Sequence, residues 1–159
     1  MINKIIDRLK TKFFSMYAFL ILKQKITAFG FFSVGDNRNI KIGKNCRINK
    51  GVYLLGRNNI DIGDNVVLSI DVMLLDSGLD VNEFKKGDLS VHTDSFVRIE
   101  DNVWIGARAV ILPGVTVGSN SIIAAGSVVI KNVKSNTLVG GNPARLIKNL
   151  KNIKVGNHG

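Results

Sequence analysis

From Ile42 onward an aliphatic side chain recurs at every sixth position. No single helix or strand has that period, since a helix repeats about every 3.6 residues and a strand about every 2. The series runs Ile42, Ile48, Leu54, slips by two, and resumes as Ile62, Leu68, Leu74. After an interruption it continues as Ile99, Ile105, Ile111, Val117, Ile123 and Val129. The residue four places on is usually small or β-branched: Cys46, Val52, Val66, Val72, Val103, Ala109, Val115, Ser121, Ser127. Glycine often follows the aliphatic residue directly, as at Gly43, Gly63, Gly106 and Gly118. Period six fits a solenoid with one hexad per side and three sides per coil. The aliphatic residue points into a narrow interior, and the small residue fits the corner where the chain turns. Stacked coils then pair as parallel strands over a continuous Ile/Leu/Val column. The expected prism has four to five coils. Periodicity does not fix its hand, although the usual crossover rule favours right-handed coils.

This register divides the chain. Residues 1–34 are expected to be an N-terminal helical or cap segment. Residues 35–142 are the β-helix, with an interrupting loop at 76–97. Residues 143–159 are expected to be a C-terminal helix and tail, the basic helix running from Ala144 to Ile153 and His158 lying in the tail. The loop carries Asp76, Asp80, Glu83, Lys85, Lys86, Asp88, His92 and Asp94. A polar interruption this long in a regular solenoid is usually functional.

At the N-terminus, Ile2, Ile5, Ile6, Leu9 and Phe13 fall at helical spacing with Lys4, Arg8, Lys10 and Lys12 between them. Two readings stand: a basic amphipathic helix on a membrane surface, or a helix covering the open first coil. The apolar run from Phe13 to Leu22, bounded by Lys12 and Lys23, falls short of the roughly 20 residues of a span. It also lacks the cleavage site of a signal peptide. A cytoplasmic protein is therefore expected, with peripheral contact to the inner face of the membrane under the first reading. The net charge of +10 suits an anionic partner or simple solubility. The basic residues are scattered without stacking aromatics, so nucleic acid is not an expected partner. One cysteine and two histidines supply no metal cluster, and no metal is expected.

Four strings are more specific than the hexads. They are Val103-Trp104-Ile105-Gly106-Ala107, Ile111-Leu112-Pro113-Gly114-Val115, Ala124-Ala125-Gly126-Ser127-Val128-Val129 and Gly141-Asn142-Pro143-Ala144. In this order and spacing the chain resembles the hexapeptide-repeat acetyltransferases, in particular the maltose, galactoside and surface-polysaccharide O-acetyltransferases. The resemblance covers about residues 40–150. It implies an all-β, left-handed parallel β-helix forming a homotrimer, with acetyl-CoA lying between adjacent prisms. By position it implies backbone contacts from Ala107 and Ala125 to the pantetheine arm, with Ile130 and Lys131 further along the groove. Arg145 and Lys148 then fall near the nucleotide end, and Trp104 lines the groove. Cations suit the phosphates of that end, and small residues let the backbone approach the pantetheine amides. The γ-class carbonic anhydrases share the repeat but need three histidines for zinc, which this chain does not have.

The chain departs from the family at the general base. The resemblance places a histidine at the start of the interrupting loop, where imidazole removes the acceptor's proton. Ungapped counting from Trp104 puts that position at Asp80, and matching Gly78-Leu79-Asp80 to the frequent Gly-His-Asp pattern puts it at Leu79. Three readings follow: His92 supplies the imidazole from the same loop, Asp80 acts as a weaker base, or the site is lost. The implied function is acetyl-CoA-dependent O-acetylation of a sugar hydroxyl on a surface polysaccharide or lipopolysaccharide precursor. The rivals are a sugar-nucleotide N-acetyltransferase and a non-catalytic β-helix that binds a glycan.

Overall fold

The computed structural model describes residues 2–88 and 90–150, and the expected tail with His158 lies outside them. Short strands stack into the three faces of a β-solenoid of about six turns. The first face is built from Thr27–Ala28, Arg47–Ile48, Val67–Leu68, Trp104–Ile105, Ile122–Ile123 and Thr137–Gly141. The second holds Ser33–Val34, Tyr53–Leu54, Met73–Leu74, Val110–Ile111 and Val128–Val129. The third holds Ile40–Ile42, Ile60–Ile62, Val97–Ile99 and Thr116–Val117. Every expected interior position is buried except Ile42, which is half-buried. Ile42 lies in the outermost strand of the third face, where no earlier coil exists to pair with it. Gln24 stands in for the missing strand: its amide donates to Ile40 O at 3.1 Å and accepts from Ile42 N at 2.7 Å. An open sheet edge is thereby closed by one side chain.

The corners work differently from the expectation. All nine small or β-branched residues are buried, but they do not make the turn. The turn is made by the residue before each of them, which has positive φ: Asn45, Gly51, Asn65, Asp71, Asn102, Arg108, Gly114, Asn120 and Gly126. Asparagine and glycine tolerate that left-handed conformation best. The asparagines also form a ladder, Asn45 Nδ2 to Asn65 Oδ1 at 3.3 Å and Asn65 Nδ2 to Asn102 Oδ1 at 3.1 Å. The small residues are small because they share the narrow interior with the aliphatic column. Gly106 is required by close approach instead: a Cβ there would lie 2.6 Å from Ala125 N.

Coil pairing begins at Thr27, ahead of the expected boundary at residue 35, and this lengthens the prism beyond four to five coils. Helix α1, Ile2–Leu22, lies against that first coil. Ala18 and Leu22 are buried, with Phe14, Tyr17 and Ile21 packed beside them. The Tyr17 hydroxyl donates to Phe32 O at 2.7 Å. One face of α1 thus packs over the open coil.

The expected C-terminal helix is corrected by the structure over its described residues, and its last three residues lie outside them. Ala144–Asn149 is a strand, antiparallel to Thr137–Gly141. The last strand of the first face has an unpaired edge, and the chain turns back through Gly141-Asn142-Pro143 to satisfy it. Backbone pairing outweighs the modest helical propensity of the segment.

The interrupting loop does not disturb the register. Val67 stacks on Trp104 and Met73 on Val110, as they would in an uninterrupted solenoid. The loop leaves the corner between the second and third faces after Leu75 and returns at Phe96. It folds back as an antiparallel hairpin, Ser77–Leu79 with His92–Asp94, joined through the short helix α2, Val81–Lys85.

Candidate active site

The hairpin places His92 directly opposite Leu79. Asp80 N bonds to Val91 O, and Ser95 N to Asp76 O. Antiparallel pairs alternate, so the Leu79–His92 pair between them is of the non-hydrogen-bonded type. Such pairs bring side chains closest, with Cα atoms about 4.5 Å apart. The imidazole of His92 therefore stands beside one of the two positions where the resemblance expects a histidine. Ser77, Leu79, His92 and Asp94 share one face of the hairpin. The Ser77 hydroxyl is buried there and has no hydrogen-bond partner among the described residues.

Asp80 has another task. It caps α2, accepting from Asn82 N at 2.8 Å and Glu83 N at 3.2 Å, and it also accepts the Thr93 hydroxyl at 3.1 Å. These donors, led by Glu83 N–H, hold its carboxyl below the usual carboxylate range. A carboxylate stabilised in its charged form is a poor proton acceptor. The Asp80…Glu83 spacing is a capping signal that was open to a sequence reading. Asp88 is engaged by the hydroxyl and N–H of Ser90, and Asp94 by Arg57 at 3.3 Å.

The remaining expected residues fall on two edges of the prism. Ile130 and Lys131 are exposed at the corner between the second and third faces, the same edge from which the His92 hairpin stands. Trp104 is half-exposed on the first face, between Val67 and Ile122, its Nε1 donating to Ser69 Oγ at 2.9 Å. Ala107 and Ala125 stack at the next corner, between the first and second faces, with Gly126 N donating to Ala107 O at 2.8 Å. Neither Ala107 N–H nor Ala125 N–H has a partner among the described residues. One chain therefore does not bring His92 and Trp104 together, because the second face separates them.

A cavity of about 580 Å³ opens at the last turn. It is lined by Lys131, Arg145, Lys134, Asn132 and Asn149 among others, and by no carboxylate among the described residues. Lys134 and Asn132 were not singled out by the sequence; a corner lysine without a motif carries no signal of its own. Lys148 is exposed on the same return strand as Arg145 but does not line the cavity.

Residues 96–131 match the family described as bacterial transferase hexapeptide (six repeats). The galactoside O-acetyltransferase of Escherichia coli is 37% identical over 120 residues, covering 76% of this chain and 58% of the relative. Among solved structures, a hexapeptide-repeat-containing acetyltransferase from Vibrio cholerae in complex with acetyl-CoA is 34% identical with a TM-score of 0.72. It matches over 78% of this chain and 71% of its own. The chain belongs to the hexapeptide-repeat acetyltransferase family. A maltose O-acetyltransferase from Clostridium difficile is 31% identical with a TM-score of 0.76, over 92% of this chain and 85% of its own. The chain spans a little over half the length of the curated relatives it matches.

Proposed function

We propose that this protein transfers the acetyl group of acetyl-CoA to a sugar hydroxyl, on a surface-polysaccharide or lipopolysaccharide precursor. The observation that carries the reading is the close cross-strand pair of His92 with Leu79. It supplies an imidazole beside the position where the family's base is expected. His92 would take the acceptor's proton as its oxygen attacks the thioester carbonyl. The C–O bond forms, the C–S bond breaks, and the proton passes on to the departing sulfur. The N–H groups of Ala107 and Ala125, without a partner among the described residues, suit the pantetheine carbonyls. The Lys131, Lys134 and Arg145 cations around the last-turn cavity suit the phosphates. Incubating the protein with acetyl-CoA and a panel of saccharides tests this directly. Saccharide-dependent release of CoA with an alkali-labile ester is the expected result. An alkali-stable amide would move the reaction to an amino sugar, and no transfer to any glycan would leave a binding protein.

The split between two prism edges calls for a second copy. A three-fold ring sets the Trp104–Ala107–Ala125 edge of one prism against the His92–Lys131 edge of its neighbour. Light scattering is expected to give about three times 17.4 kDa. A monomer that turns over acetyl-CoA would refute the shared groove.

The cavity makes a second expectation. Lys131→Ala, Lys134→Ala and Arg145→Ala should each weaken CoA binding about fivefold, as exposed phosphate contacts are worth about 1 kcal/mol each. Raising the salt should weaken the wild type further. Calorimetric titration reads this, and unchanged affinity in all three variants would move the nucleotide end elsewhere.

A further inference from the structure

Helix α1 uses only one face to cover the first coil. Its opposite face carries Ile5, Leu9, Phe13, Met16 and Leu20, which align along one side of a helix at spacings of three and four. All five are exposed, Leu9 at 60% and Leu20 at 70% of their surface. Phe29 and Phe31, from the turn after Thr27–Ala28, are exposed as well. This is a continuous apolar stripe about 25 Å long, well beyond the scattered apolar residues of an ordinary surface.

The stripe has charged borders of one sign. Lys4, Arg8 and Lys12 recur every fourth residue along one flank, and Lys10 lies on the other. Asp7 is the one carboxylate on the helix. Beside α1, a groove of about 730 Å³ runs between the helix and the first coil. Met16 and Phe19 line it with Ile26, while Lys25 and Lys44 add two further cations and no acid among the described residues lines it. An apolar strip flanked by lysine and arginine, with a cationic groove alongside, is the pattern of a helix lying in a membrane interface. Two such faces brought together about a two-fold axis would oppose like charges along both borders, which disfavours a second copy as the occupant.

We propose that α1 docks this protein on an anionic lipid surface. The stripe enters the acyl boundary, and Lys4, Arg8, Lys12, Lys25 and Lys44 meet lipid phosphates. No described helix is long and apolar enough to cross a membrane, so the contact is interfacial. The helix is thus two-sided: Phe14, Tyr17, Ala18 and Leu22 seal the solenoid, and the other face is left for the bilayer. The proposal does not depend on the acetyl-transfer reading.

The test is flotation of the full chain with phosphatidylcholine vesicles, with and without phosphatidylglycerol. Binding is expected only to the anionic vesicles and should fall as salt rises. The charge-reversal variant Lys4→Glu/Arg8→Glu/Lys12→Glu should bind at least about a hundredfold more weakly, since each basic residue near the surface contributes roughly fivefold. The stripe variant Leu9→Ser/Met16→Ser/Leu20→Ser should lose at least about tenfold while keeping its melting temperature, because the covering face is untouched. Wild type that floats with neither vesicle, or equally with both, overturns the proposal. So does a change of oligomeric mass in the stripe variant, which would assign the stripe to a protein contact.

Discussion

Replacing His92 with alanine is expected to lower kcat/KM for acetyl transfer by about 10²- to 10⁴-fold, the range for removing a general base. CoA affinity should stay nearly intact, because the cations at the last turn are untouched. Asp80→Asn is the informative partner. Asparagine caps a helix almost as well as aspartate, so the α2 cap survives the substitution and activity should change by no more than about threefold. If Asp80 were the base, the same substitution would abolish transfer. The pH dependence of folding separates the roles again. The cap's donors depress the Asp80 carboxyl. Its contribution to folding is therefore complete above the ordinary carboxylate range and is lost as pH falls through the lowered value. Acid should thus loosen α2 in the wild type and leave α2 of Asp80→Asn unaffected. A His92→Ala protein with full activity would end the assignment. Activity created by Leu79→His in an otherwise inactive chain would show that the site had been lost.

The interior column was legible because it is periodic. The hexads survive a long insertion, and the residues they name are those that fill the core. The same register extends back to Ala28 and Val34 with one more two-residue slip. There Phe29, Phe31 and Phe32 blur the pattern, and a helical segment immediately precedes it. The turn residues carried a signal too: Asn45, Asn65, Asn102 and Asn120 each stand just before a buried position. What could not be read is anything that depends on pairing between distant segments. Nothing in the composition of residues 76–97 says that His92 faces Leu79, since hairpin register is set by the turn that joins the strands and not by repeat spacing. The return strand Ala144–Asn149 is illegible for a similar reason. Its conformation is imposed by the free edge it pairs with. The division of the candidate site between two edges of the prism follows from where each corner falls in the coil, which the linear order conceals.

Asp76→Ala should cost about 3 kcal/mol of stability, more than any other single change in the loop. Asp76 is fully buried at the point where the loop leaves the coil. Its carboxylate accepts from Arg57 N at 3.1 Å and Asn58 N at 2.7 Å, in the corner of the coil before. Its carbonyl accepts from Ser95 N at 2.9 Å, where the loop returns. One residue therefore ties the preceding corner to both ends of the hairpin. Hydrogen bonds to a charged group are worth about 1.5 to 3 kcal/mol each, and truncation removes two while leaving their donors unpaired. The neighbouring Arg57–Asp94 ion pair reaches toward the same place, but both partners are substantially exposed. Its loss through Arg57→Ala should cost less than about 1 kcal/mol. Asp76→Asn keeps one acceptor and turns an amide N–H toward the other donor, so it should recover less than half of the alanine loss. Urea titration reads the global change, and amide exchange at Arg57 and Asn58 reads the local one. The hairpin holds His92, so acetyl transfer should fall in Asp76→Ala even below the melting transition, with CoA affinity preserved. Equal losses in Asp76→Ala and Arg57→Ala would place the anchoring in the exposed ion pair and remove this role from the buried carboxylate.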